Sequence, residues 1–135
     1  MGWIIWAMLG IALAIALYVR FAPSDVAYWH RPVTAGADAD GEGSAVRILQ
    51  GGSDLMARLD REMRALPRTR VLSGSPEAGR VTYVTRSRVM GFPDYTTLER
   101  RPDGVALYGR LRFGRSDFGV NAARLDRVIG QVEAR

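Results

Sequence analysis

The stretch YTTLERRPDGVALYGRLRF, residues 95–113, decides how this chain folds. Tyr95, Thr96, Thr97 and Leu98 favour extended backbone, and RPDG at 101–104 puts Pro102 and Gly104 at the second and fourth places of a tight turn. Successive side chains of a strand point to opposite faces. Val105, Leu107, Leu111 and Phe113 therefore share one face, and Ala106, Tyr108, Arg110 and Arg112 the other. Pairing the two strands with Leu98 opposite Leu107 adds Tyr95, Thr97 and Glu99 to the side of Tyr108 and Arg110. One face of this hairpin is core and the other is cationic.

Upstream, Pro93 keeps the entry to this hairpin extended. RVTYVTRSRVM (80–90) alternates Val81, Tyr83, Thr85, Ser87 and Val89 with Thr82, Val84, Arg86 and Arg88, which predicts one long strand carrying Arg86 and Arg88 on a single face. RTRVLSG (68–74) predicts a strand before the SPEAG turn, and VRILQ (46–50) a short first strand. GGSDLMARLDREMRALP (51–67) predicts a helix with Ser53 or Asp54 as N-cap, Leu55, Leu59, Met63 and Leu66 as its apolar stripe and Pro67 as its stop. Downstream, NAARLDRVIGQVEA (121–134) predicts a closing helix that buries Leu125, Val128, Ile129 and Val132.

Between the hairpin and that helix lies RFGRSDFGVN (112–121), where Gly114 and Gly119 permit turn conformations and Asp117 or Asn121 can cap the first free N–H groups. Asp94, Ser116, Asp117, Gly119 and Asn121 are read as turn and cap residues. The order strand, helix, several strands, helix predicts an α+β domain over 46–135: an antiparallel sheet of about four or five strands packed against two helices.

At the other end, GWIIWAMLGIALAIALYV (2–19) carries no charge, and at ~1.5 Å per residue it nearly spans a bilayer core. Trp3 and Trp6 before it and Tyr18, Arg20 and Phe21 after it read as interfacial anchors. Residues 1–21 are expected to be a retained single-pass anchor rather than a cleaved signal peptide, because the segment is long and its start bears no Arg or Lys. Arg20 and Arg31 favour a cytoplasmic domain by the positive-inside rule, with the periplasmic side as the alternative. Residues 22–45, with prolines and the acidic run Asp38, Asp40 and Glu42, read as a solvated tether, and His30 among Tyr28, Trp29 and Arg31 as an interfacial anchor.

Cysteine is absent, so disulfides, thiol catalysis and Cys-ligated metals are excluded. His30 is the single histidine and all 19 basic residues are arginine, which removes lysine chemistry and weakens every enzyme reading. No G-x-S-x-G or H-E-x-x-H pattern occurs. Neither a cofactor nor a metal site is expected. A nucleic-acid role is not expected in a tethered module without a recognition motif.

RSRVMGFPDY (86–95) and GRLRFGRSDFGVNAARL (109–125) together resemble the signature of the family called domain of unknown function 1499. In that signature, arginine and serine flank a short hydrophobic turn before an F-x-D segment, and an S-R-x-G-x-S-D-x-G-V-N-x-x-R block follows. LPRTRVL and VTYVTRSR extend the similarity over roughly residues 46–133. The anchor with APSD and WH is similar to that family's membrane-attached bacterial members, which implies a place in the inner membrane. The resemblance implies a fold and no established activity.

Function is therefore read from the cationic face. Between residues 79 and 124 there are nine arginines against Asp94, Glu99, Asp103 and Asp117. Arg86, Arg88, Tyr95, Tyr108, Arg110 and Arg112 are expected to form a surface for an anionic ligand, a lipid headgroup or an acidic protein segment. The alternatives are a plain wet sheet face and a hydrolase using Asp94 and Asp117 as a carboxylate pair, or else Ser87 and Ser116 as nucleophiles. The sequence assigns no oligomeric state.

Overall fold

The computed structural model describes residues 1–135 and runs, in chain order, α1 (Gly2–Phe21), α2 (Val26–Trp29), β1 (Ala39–Asp40), β2 (Ser44–Leu49), α3 (Ser53–Ala65), β3 (Thr69–Ser75), β4 (Arg80–Arg86), β5 (Pro93–Arg101), β6 (Gly104–Leu111) and α4 (Val120–Glu133). The six strands form one antiparallel sheet in the order β1-β2-β6-β5-β4-β3. The β5–β6 hairpin lies at its centre with Leu98 opposite Leu107 and Tyr95 opposite Arg110, the register that the alternating side chains require. The fold is α+β, as the sequence implies, with one strand more than expected.

The additional strand is β1, drawn from the segment expected to be a tether. Ala39 and Asp40 pair with Val46 and Ala45, and the Asp38 carboxylate accepts from Ile48 N–H at 2.8 Å. Backbone pairing needs no side-chain pattern, which is why two residues of an acidic run join the sheet unannounced. Arg47 then holds Asp40 and Asp126 at 2.7 and 2.8 Å, tying this edge to α4.

Helices α3 and α4 cover one face. Met56, Leu59 and Met63 of α3 and Leu125, Val128 and Val132 of α4 enclose Val81, Tyr83, Leu98, Val105 and Leu107. Each fully buried Leu or Val contributes ~1.5–3 kcal/mol. Neither Ser53 nor Asp54 caps α3, whose N-cap is Gly52 without a side-chain bond. Tyr83, buried in this layer, donates its hydroxyl to Asp60; burial and then that carboxylate push the phenol's pKa well up. Gly109 lets α4 approach closely, since a Cβ there would stand 2.8 Å from Asn121 Oδ1.

The α1 helix is long and apolar enough to cross a membrane and is only 6% buried, a pattern that an anchor and a signal sequence share. Its last turn touches the domain: Val19 is buried, Tyr18 meets Phe113 edge-on at 6.0 Å, and Arg86 donates to Val19 O at 3.3 Å.

Candidate functional site

The face expected to be an open cationic surface is covered. Residues 22–36 cross it as a strap, correcting the reading of this segment as a free spacer. Trp29 stacks on Tyr95 with ring centroids 3.9 Å apart and planes inclined by 10°. His30 Nδ1 lies 2.8 Å from Thr82 Oγ1, so the histidine packs on the sheet rather than serving only as an interfacial anchor. Ser24 meets the Tyr95 hydroxyl at 2.6 Å, and Val33 N–H donates to Glu99 at 2.7 Å.

The arginines hold the strap by its carbonyls. Arg110 donates to Trp29 O and to Thr97 Oγ1, Arg112 to Pro23 O at 3.0 Å, and Arg101 to Val33 O and Ala35 O at 2.9 and 2.7 Å. Burial lowers the Arg110 guanidinium to about 10, with the charge of Arg31 adding to the effect. Tyr95, Thr97, Thr82, Val84 and Ala106 are buried beneath the strap, leaving Tyr95 no surface for a ligand. Tyr108, half-buried, stacks under Arg110 at 4.7 Å. The proposed anion-binding set is thus largely spent on the chain's own backbone.

Arg88 departs further from expectation. Strand β4 ends at Arg86, and Arg88 sits on an exposed turn closed by Ser87 N–H to Phe92 O and by Phe92 N–H to Ser87 Oγ, both 2.9 Å. Gly91, at φ 71°, ends that turn in a conformation other residues avoid, which cuts short the predicted long strand.

An open cavity of about 860 Å³ lies on the helix side of the sheet, at the end where α1 docks. The helices leave it: α3 stops at Ala65 and α4 begins only at Val120, so the core layer continues past them uncovered. Phe92, Leu111, Phe113, Phe118 and Leu66 supply its apolar wall, and Arg68, Arg124 and Arg127 its cations, while Arg86 lies at its edge with its guanidinium turned to the α1 side of the sheet. Arg124 pairs with Asp94 at 3.3 Å, whereas Arg68, Arg86 and Arg127 form no ion pair with any side chain. Arg86 donates to Gly91 O at 2.9 Å as well as to Val19 O; burial, then the like charge of Arg70, lowers its pKa. Two cations without counter-ions, Arg68 and Arg127, beside phenyl rings suit an anion that carries an apolar part.

Asp94 and Asp117 meet around Asn121, whose amide donates to Asp117 at 2.7 Å and lies 3.4 Å from Asp94. Their ionisation is pushed apart. Burial raises the Asp94 carboxyl above the ordinary range, opposed by Arg124 and aided by Asp117. Burial opposes ionisation of Asp117 too, but the N–H groups of Asn121 and Gly119 outweigh it and hold this carboxyl low. Asp117 accepts from Gly119 N–H at 2.9 Å and Asn121 N–H at 3.0 Å, so it caps α4 in place of the N-cap residue Gly119. Ser87 and Ser116 accept from the backbone N–H groups of Phe92 and Phe118, and His30 lies on the opposite face of the sheet. Neither serine hydroxyl bonds a carboxylate or His30, and no three His, Asp or Glu side chains gather as a metal site.

Residues 33–132 match the family described as Protein of unknown function (DUF1499). The chain belongs to this family. No curated protein matches the sequence. The DUF1499 match begins at Val33, where the strap bonds Glu99, and ends in α4, so it contains the whole cavity and leaves α1, Trp29 and His30 outside.

Within the DUF1499 domain the structure brings Arg86, Asp94 and Asp117 together at the cavity, keeps Tyr95, Tyr108 and Arg110 under the strap, and leaves Arg112 beside Pro23. Ser116 and Gly119 belong to the turn before α4. The sequence reading missed Arg68, Phe92, Phe118, Arg124 and Arg127. Arg68 and Phe118 take positive φ values of 53° and 52°, a feature that no residue pattern announces.

Proposed function

We propose that this chain is a single-pass membrane module, held by α1, that binds an anionic amphiphile in the cavity beside the anchor and acts by binding rather than catalysis. The ligand class is a lipid with a phosphate or carboxylate head. One observation carries the reading: Arg68 and Arg127, without counter-ions, line a phenylalanine-walled cavity at whose edge Arg86 and Phe113 touch the last turn of α1.

The same contacts support a retained α1. Val19 and Ala22 are buried against the domain, contacts that cleavage of a leader would empty. A helix that leaves the bilayer at Arg20 puts the cavity at headgroup depth, where each arginine near an anionic surface contributes on the order of 1 kcal/mol. Arg20 and Arg31 favour a cytoplasmic domain. The apolar wall favours an acyl-bearing ligand over an acidic peptide, which gains little from phenyl rings.

Thermal unfolding of the full chain in neutral detergent, with added anionic or zwitterionic phospholipid, tests this. A ligand at 100 times its dissociation constant adds about 2.7 kcal/mol. The expected result is a shift with the anionic lipid alone, reduced by Arg127→Glu, an exposed change that breaks no ion pair. Equal shifts with both lipids, or a shift indifferent to Arg127→Glu, would refute the assignment.

A further inference from the structure

Resting on the anchored reading of α1, but not on what fills the cavity, we infer that the cavity rim is itself immersed in the bilayer interface, so that two loops of the domain dock on the membrane beside the anchor. The loops are 87–92 and 114–120. Val89 is 84% and Phe118 95% exposed, with Met90, Phe92 and Val120 also exposed. Loop tips are ordinarily polar or small, and here Phe92 of the first loop and Phe118 and Val120 of the second line the same cavity; exposed apolar residues on adjoining loops mark a surface that is covered.

Both tips are built to hold these side chains outward. The hydrogen bonds between Ser87 and Phe92 close the first loop at its base and present Val89 and Met90 at its turn. Phe118 is fixed in the left-handed region, unfavourable for an aromatic residue, by bonds from its own N–H to Ser116 Oγ at 3.2 Å and from Gly119 N–H to Asp117 at 2.9 Å. The frame fixes the backbone at both tips with these side chains directed to solvent.

The occupant follows from where α1 leaves the domain. Arg86 holds Val19 O, and Gly91 lies so close to Arg20 that a Cβ would stand 2.8 Å from its guanidinium. The bilayer that receives α1 therefore begins beside the 87–92 turn. Arg20 and Arg88 have no carboxylate partner, and Arg115 reaches Glu42 only at 3.8 Å. Cations ringing exposed apolar tips are the composition of an interfacial docking surface on anionic lipid.

The chain has no cysteine, so single cysteines report without further engineering. Val89→Cys, Phe118→Cys, Leu13→Cys within α1 and Glu77→Cys on a distant turn would each be labelled with an environment-sensitive fluorophore in the full chain. The proteins are reconstituted in vesicles of mixed phosphatidylcholine and phosphatidylglycerol. Labels at 89 and 118 are expected to emit to the blue of the label at 77, to resist iodide and to be quenched by shallow lipid-borne nitroxide. Labels at 89 and 118 quenched by iodide as fully as the label at 77 overturn the inference. Labels shielded from iodide yet untouched by the nitroxide also overturn it, because a protein partner or second copy then covers the rim. The Leu13 label separates the two readings: its quenching by deep nitroxide upholds the anchor even where the rim proves to lie in water.

Discussion

On its helix side the sheet is buried by two amphipathic helices whose Met56, Leu59, Leu125 and Val128 interlock with Val81, Leu98 and Leu107; on its other side the same strands are buried by a thin strap that Arg101, Arg110 and Arg112 hold by backbone carbonyls. The first cover rests on non-directional apolar burial spread over many side chains. The second rests on a few directional bonds and one stacked ring pair. A layer of the first kind tolerates small losses, whereas one of the second kind rests on a few members, so that each lost donor removes a sizeable share of what holds it.

The largest effect is expected in the helix layer. Leu107→Ala should cost about 3 kcal/mol and lower the cooperative unfolding of the whole domain, measured by denaturant titration in detergent. Trp29→Ala should cost about 2 kcal/mol and act locally, raising hydrogen exchange across 22–36 and at Tyr95 while α3 and α4 stay protected. If both layers lose protection together, the strap is not a separate unit and the comparison breaks.

Arg110→Met sharpens the same contrast. It keeps stem volume but removes the donor to Trp29 O and Thr97, and should cost about 1.5 kcal/mol, with exchange rising from Trp29 to Val33. An unchanged exchange pattern would mean that stacking alone holds the strap.

The smallest effect is one of sign, at the cavity. With its carboxyl raised, Asp94 binds a proton more readily folded than unfolded, so its contribution falls as pH rises from the ordinary aspartate value through its raised one. With its carboxyl depressed, Asp117 contributes above the ordinary value and loses that contribution as pH falls through its lowered one. Asp94→Asn should remove the first slope and Asp117→Asn the second, read from stability against pH between about 2 and 6. Slopes of the same sign would contradict the opposed causes, burial at Asp94 and the N–H donors of Asn121 and Gly119 at Asp117.

The sequence had much of the helix layer within it. Leu55, Leu59 and Met63 recur at helical spacing, and residues 105–113 place Leu107, Leu111 and Phe113 on one side, so periodicity places both faces, while pairing through the RPDG turn supplies the Leu98–Leu107 register. The strap left no such trace, because its main bonds accept at carbonyls that every residue carries, and Trp29 looks the same facing lipid as it does stacked on Tyr95. The arginine face was legible as cationic and misread as open, since charge pattern reports a side chain's nature and not its partner.

What the sequence by itself determined was an apolar helix followed by an antiparallel α+β domain of the DUF1499 family, because strand and helix periods, turn residues and an uncharged run are local properties. Only the tertiary structure decided that residues 22–36 close one face, that the core opens at the α1 end, and that Arg68 and Arg127 gather there beside Phe92 and Phe118. Those residues come from separate loops and from helix α4, and their meeting depends on where α3 stops and α4 begins rather than on any pattern within a single segment.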